Sequence, residues 1–197
     1  MSEVMSVPKL RFKEFDGDWL KLKYKDVLTI KYGKDHKSLN DGDIPVYGTG
    51  GLMRHVNKYL YDGESILIGR KGTIDKPKYI EGIAFSNVYL GVSNDITYDG
   101  HLIKLSPDLN IIEPKFLNYC LKVAYVRKQL IQGGKTATMT TIGQQEVGNT
   151  LVKIPCLEEQ IRIANFLSAI DQKIDVVSKQ IEQAKQWKKG LLQQMFI

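Results

Sequence analysis

Three stretches of this sequence carry residue types that could do chemistry, and each fails on spacing. Gly134-Lys135-Thr136 matches the tail of a phosphate-cradling loop, in which glycine lets backbone amides close on phosphate and lysine neutralises it. The full pattern needs a glycine five residues before Gly134, and Gln129 stands there. Such a loop must also follow a strand and open a helix, whereas this one follows a helical pattern and runs into Thr138-Met139-Thr140-Thr141. Pro107-Asp108 followed by Glu113-Pro114-Lys115 imitates the acidic-plus-lysine pattern of metal-dependent nucleases. Two carboxylates would have to converge on one Mg²⁺ from adjacent strands, but Pro114 breaks the strand that should present Lys115. A turn followed by a helix amino terminus explains the same residues. His36, His55 and His101 are scattered, and neither Cys120 nor Cys156 has a partner at zinc-ligand spacing. No serine lies in a Gly-x-Ser-x-Gly elbow, and no glycine-rich fingerprint for a dinucleotide or S-adenosylmethionine is present. No catalytic site, bound metal or cofactor is expected.

What remains is a set of loops rich in glycine, cations, hydroxyls and aromatics. Lys31-Tyr32-Gly33-Lys34-Asp35-His36-Lys37 is one, and Tyr47-Gly48-Thr49-Gly50-Gly51, with Arg54 and His55 just after it, is another. Gly69-Arg70-Lys71-Gly72-Thr73 leaves a predicted strand, and Gly133-Gly134-Lys135-Thr136-Ala137-Thr138 leaves a predicted helix. Glycine lets backbone amides approach phosphate, lysine neutralises it, and arginine can also fork onto guanine. Taken singly, each loop reads as a solvated turn. Four in one domain favour a nucleic-acid-binding surface. Arg70 and Lys71 are the leading expected contacts, with Thr73, Lys135, Thr136, Thr138, Arg54, Lys34 and Tyr47 behind them.

The balance of charge agrees. The chain of 197 residues carries 28 Lys and Arg against 22 Asp and Glu, a formal net charge of +6. Residues 156–197 hold six of those cations and five of the anions, so the basic surplus lies almost entirely in residues 1–155. Two cysteines are too few for a disulfide scaffold and suit a reducing cytosol. No apolar run approaches the roughly 18 residues needed to cross a bilayer, and Met1–Phe15 lacks the apolar core of a signal peptide. A cytoplasmic protein is expected.

The elements that must position these loops are mixed. Val27–Tyr32, Ser65–Ile68, Ile83–Val92 and Leu102–Leu105 are short apolar, β-branched or aromatic runs bounded by turn residues, which predicts strands. Pro114 favours a first helical turn, and Phe116, Leu117, Cys120, Leu121 and Ala124 recur at helical spacing. Gly133-Gly134 supplies a stop. The pattern predicts an α+β fold, β-rich with short helices, over residues 1–155.

After Pro155 the character changes. Glu158 and Glu159 fall in a first helical turn, where they complement the helix dipole. A seam then runs Ile163, Leu167, Ile170, Ile174, Val177, Ile181, Ala184, Lys188, Leu191, Met195, in alternating steps of four and three. Lys188 alone is polar. That is the repeat of a coiled coil, about 3.5 residues. A helix of about 38 residues measures about 57 Å, too long to lie on a globule whose radius of gyration would be about 15 Å. Residues 156–197 are therefore expected to pair with another helix through this seam. The simpler alternative, an amphipathic helix folded back on its own head, is disfavoured by length.

The junction Ile154-Pro155-Cys156-Leu157-Glu158-Glu159-Gln160-Ile161-Arg162-Ile163-Ala164, followed by Phe166-Leu167-Ser168-Ala169-Ile170-Asp171, resembles the start of the conserved helix in type I restriction–modification DNA specificity subunits. Pro8-Lys9-Leu10-Arg11-Phe12 with Trp19 resembles the opening of their target recognition domain. Ile44-Pro45-Val46-Tyr47-Gly48-Thr49-Gly50-Gly51, Ile68-Gly69-Arg70-Lys71-Gly72-Thr73 and Thr140-Thr141-Ile142 fit as well. Cys156 departs from the pattern, since a second proline is common there.

The resemblance implies a non-catalytic subunit that reads DNA. It directs a methyltransferase and a restriction subunit to a bipartite target. S-adenosylmethionine, ATP and Mg²⁺ would belong to those partner subunits. Full-length members carry two recognition domains separated by two long helices that pair antiparallel, and this chain has one of each. The resemblance thus implies a half-length form closed as an antiparallel homodimer or joined to the other half of a split subunit, with a fragment of a longer two-domain subunit as the alternative. A coiled-coil protein that binds modification subunits without reading DNA is the alternative, and an enzyme is the third class.

Overall fold

Side chains alternate across a β strand, and along Leu102–Pro107 that alternation sends two buried rows in opposite directions. Ile103 and Leu105 turn to one face, Leu102 and Lys104 to the other. The structure, a computed structural model, describes residues 8–48, 51–60, 62–70, 78–80, 97–98, 102–133 and 141–196. Along the chain the elements are β1 (Leu20–Lys23), α1 (Tyr24–Val27), β2 (Leu28–Tyr32), β3 (Ile44–Gly48), β4 (Gly51–Val56), β5 (Ser65–Gly69), β6 (Lys78–Ile80), β7 (Thr97–Tyr98), β8 (Leu102–Pro107), α2 (Pro114–Lys122), α3 (Ala124–Gly133), α4 (Gln144–Asn149), β9 (Leu151–Ile154) and α5 (Leu157–Met195). The fold is α+β, with a long carboxy-terminal helix.

One antiparallel sheet has the order β2-β8-β5-β6, and β8 is paired on both sides. Its Ile103 and Leu105 lie in register with Ile68 and Ile66 of β5. These four join Phe116, Leu117 and Leu121 of α2, and Val126 and Leu130 of α3, in the main core. The opposite face carries Leu67 and Leu102, against which Tyr47 and Leu60 pack. A second sheet, β4-β3-β7, comprises the β3–β4 hairpin and a parallel β3–β7 pair, and β1 pairs with β9.

Strands expected at Ser65–Ile68 and Leu102–Leu105 are present and slightly longer. The strand expected from Val27 begins at Leu28, because Tyr24–Val27 forms a helical turn that drives Tyr24 and Val27 into the core. Ile83–Val92 lies outside the described residues. Tyr47 and Arg54, expected in a loop, are on the paired strands of a hairpin, with a register shift between Val46 and Tyr47. Gly51, at the start of β4, has φ 117°, a conformation side chains disfavour.

The single helix expected from Pro114 to Gly133 is two. Val123 adopts an extended conformation (φ −69°, ψ 133°), and Val126 and Arg127 donate to its carbonyl to start α3. The nuclease-like carboxylates serve the backbone. Asp108 accepts from Asn110 N, and Glu113 caps α2 by accepting from Phe116 N. Among the described residues no group of three or more His, Cys, Asp or Glu could hold a metal ion. No described helix is long and apolar enough to cross a membrane.

Candidate nucleic-acid interface and its spacer helix

Arg70 follows directly on β5, whose five residues are all buried. Its carbonyl accepts from Ile142 N at 3.0 Å, and its Nε donates to Ile142 O at 3.4 Å. The guanidinium lies over the Tyr32 ring, 4.5 Å from the centroid, close enough for a cation–π interaction. Tyr32 Oη in turn accepts from Gln144 N at 3.1 Å, and Gln144 Nε2 donates to Ile30 O at 3.0 Å. The end of β5, the end of β2 and the start of α4 are thus tied at one point.

That point matters because two of the basic loops end there. Lys71 and Thr73 follow Arg70 in the chain, while Lys135, Thr136 and Thr138 precede Ile142. Those five lie outside the described residues. The hydrogen-bonded pair Arg70–Ile142 fixes one end of each segment against the other. The shared mooring was not legible in either loop alone, although Tyr32 and Ile142 stand in stretches already singled out.

The other expected contacts are placed differently. Arg54 on β4 donates to Asp41 Oδ1 at 2.7 Å and to Leu39 O at 3.2 Å, so its charge clips the segment before β3. Tyr47 is half-buried against Leu67 and Leu102, which gives it a packing role. Lys34 is exposed between β2 and β3. It stands two residues beyond Tyr32, and Gly33 between them donates to Leu102 O at 3.3 Å, beside the end of β5.

The start of α5 is bolted to the head. Arg11 grips Glu159 with two nitrogens, at 2.7 and 2.6 Å, and one of those nitrogens also reaches Gly17 O at 2.7 Å. Gln160 is fully buried and makes three bonds. It accepts from Glu113 N at 2.9 Å and donates to Ile111 O and Pro155 O at 2.9 and 3.0 Å. Phe12 meets Phe166 edge-on at 5.7 Å, and Arg162 lies over the Phe12 ring. Tyr119 of α2 donates to Asp171 Oδ2 at 2.7 Å. Cys156 occupies the N-cap without a side-chain bond, so Glu159 and Gln160 do the anchoring. Both residues, and Arg11, were in the quoted motifs, but their partners are too distant in sequence to be read there.

Beyond this mount α5 stands bare. It is 39 residues long, about 58 Å at 1.5 Å per residue, and every residue from 169 to 189 is exposed. Of the seam, Ile163 packs partly on the head's core, and Leu167 is half-buried. Ile170, Ile174, Val177, Ile181 and Met195 are exposed by 39–73%. The helix does not fold back on its own head.

Comparison with known proteins agrees with this arrangement. Residues 16–186 match the family model described as the type I restriction modification DNA specificity domain. The type I restriction enzyme MjaVIII specificity subunit of Methanocaldococcus jannaschii is 26% identical over 199 residues, covering 94% of this chain and 44% of the relative. The EcoDI specificity subunit of Escherichia coli is 21% identical over 172 residues, covering 86% and 35%. Among solved structures, the S subunit of a type I restriction–modification system from M. genitalium superposes with a TM-score of 0.64 at 19% identity, over 90% of this chain and 45% of that one. The HsdS subunit from Thermoanaerobacter tengcongensis gives 0.57 at 18% identity, over 88% and 41%. The chain spans about half the length of the curated relatives it matches. With the match running through the head and most of α5, this chain belongs to the type I restriction modification DNA specificity domain family.

Proposed function

We propose that this chain is a non-catalytic, sequence-reading DNA-recognition subunit of a type I restriction–modification system. The observation that carries the reading is the family match, continuous through the basic head and the bare helix. Residues 1–155 form the recognition head, and residues 156–197 form the spacer. The loops moored at Arg70 and Ile142 face DNA, with Arg70, Lys71, Thr73, Lys135, Thr136 and Thr138 as the main contacts. Lys34 adds charge from the neighbouring segment, and Arg54 and Tyr47 act mostly by shaping the hairpin.

A seam of exposed apolar residues over several helical turns needs a mate, since scattered single exposures are ordinary but a continuous stripe is not. A second copy supplies one through a two-fold interface, placing two heads at opposite ends of an antiparallel pair. Such symmetry is mirrored in a palindromic, split target. Methylation, ATP use and cleavage lie on partner modification and restriction subunits, and this chain binds no cofactor.

Selection from random duplex DNA, with and without modification subunits, tests the proposal. Enrichment of a split, inverted motif is expected. Failure to enrich any sequence even with those subunits present would favour the coiled-coil binder that does not read DNA.

A further inference from the structure

Charge is distributed unevenly along the exposed part of α5. Asp171 and Asp175 lie towards the head, while Lys185, Lys188 and Lys189 lie towards the free end. Asp171 is already oriented, because Tyr119 holds one of its oxygens. At the other end Lys185 leans on Glu182 at 2.6 Å, and Trp187 is 71% exposed.

We infer that α5 pairs antiparallel with α5 of a second copy in one register, set by Asp171 meeting Lys185 and Lys173 meeting Trp187 of that copy. This rests on the self-paired spacer proposed above and goes further by fixing which residues touch.

In antiparallel coiled coils the two seam positions of the heptad face each other, and the flanking positions pair with their own kind. Taking Val177 opposite Ile181 places Ile174 opposite Ala184, a large side chain against a small one. Ile170 then falls opposite Lys188, whose stem packs on the seam while its ammonium reaches towards Asp171. On one flank Asp171 meets Lys185, on the other Lys173 lies beside the Trp187 ring, and Ser178 meets Ser178 close to the two-fold axis.

Other alignments lose this complementarity. Sliding the copies by one heptad breaks the Asp171–Lys185 contact, setting Asp171 against Leu192 in one direction and against Ser178 in the other, and sliding them by two heptads sets Lys185 against Lys185 or Lys173 against Lys173. A parallel pair would stack Lys188 on Lys188 inside the seam, a like-charge contact, and would crowd both heads at one end.

Single cysteines introduced into the Cys120→Ala/Cys156→Ser chain, which has no other thiol, read the register by disulfide formation under mild oxidation, without DNA. Ser178→Cys is expected to give a cross-linked dimer, while Lys185→Cys and Lys173→Cys stay reduced. Cross-linking at Lys185→Cys or Lys173→Cys would establish a slip of two heptads, a dimer with no cross-link at Ser178→Cys another antiparallel register, cross-linking at Ile174→Cys a parallel pair, and a monomer throughout would remove the second copy. Each result overturns the inference. As a second measurement, Asp171→Lys should weaken dimerisation by roughly tenfold, with Lys185→Asp restoring it in the double variant. Absence of that rescue would count against the pairing. Because DNA is absent, failure here leaves the selection experiment to judge recognition separately.

Discussion

Arg11 and Glu159, 148 positions apart, form a two-pronged ion pair in which the carboxylate is wholly buried and the guanidinium nearly so. Glu159 belongs to the first turn of α5, and Arg11 to the segment that precedes β1. Burying a carboxylate is costly unless it is paired and hydrogen-bonded, and the planar arginine fork meets both oxygens at once. The contact is therefore directional as well as charged. It fixes the angle at which α5 leaves the head.

Arg11→Ala leaves the buried carboxylate of Glu159 without its main partner. Removing one member of such a pair is more damaging than replacing both with apolar residues. We expect Arg11→Met to lower the unfolding midpoint in urea more than the double variant Arg11→Met/Glu159→Leu. Amide exchange in the first turns of α5 should quicken in the single variant before the core does. Equal destabilisation by the single and double variants would show that the pair carries no special weight.

Gln160 is the second bolt. Its amide satisfies Glu113 N, Ile111 O and Pro155 O from a site with no solvent exposure. Gln160→Leu keeps roughly the same volume but strands three backbone groups. A buried unsatisfied group costs about 1–3 kcal/mol, and partial rearrangement should hold the total to about 2–4 kcal/mol. Chemical denaturation with an unchanged m-value would measure it.

Helix α5 was the most legible element, because a heptad seam repeats often enough to override any single misleading residue such as Lys188. β5 and β8 were legible for a related reason, as short apolar runs closed by turns. The break at Val123 was not, since apolar residues continue at helical spacing on both sides of it. The β3–β4 hairpin was hidden by its glycines, which read as a loop, whereas Gly48 and Gly51 are a facing pair on its two strands. Loop composition singled out Arg70, Arg54 and Tyr47 alike, but not their contacts: Ile142 for Arg70, Asp41 for Arg54, and Leu67 and Leu102 for Tyr47 lie elsewhere in the chain, and spacing patterns do not carry that information.

Lys104 gives the head a pH-dependent stability. Its side chain is buried on the second face of β8, and its pKa is lowered from 10.5 to about 7, chiefly by burial and then by the neighbouring Lys31. Between these two values the unfolded chain holds a proton that the folded chain has released, so stability rises with pH across that interval and levels off below about 7. Urea unfolding at pH 7 and at pH 9 should show the higher stability at pH 9. Lys104→Met should remove most of that slope, and a slope that survives the substitution would assign it to other groups.

On the DNA-reading function proposed above, one variant assigns Arg70 to bases or to phosphate. Its guanidinium lies over the Tyr32 ring and its Nε is tied to Ile142 O, so the fork is held in one orientation. An oriented planar fork suits the bidentate reading of a base edge, worth about 1–3 kcal/mol of discrimination, better than the looser demands of a phosphate. Arg70→Ala should therefore relax preference at one position of each half-site and leave the salt dependence of binding unchanged. Tyr32→Leu, which frees the fork without removing it, should give a weaker version of the same loss. A uniform fall in affinity for all sequences, with a salt slope shallower by about one unit, would move Arg70 to the phosphates.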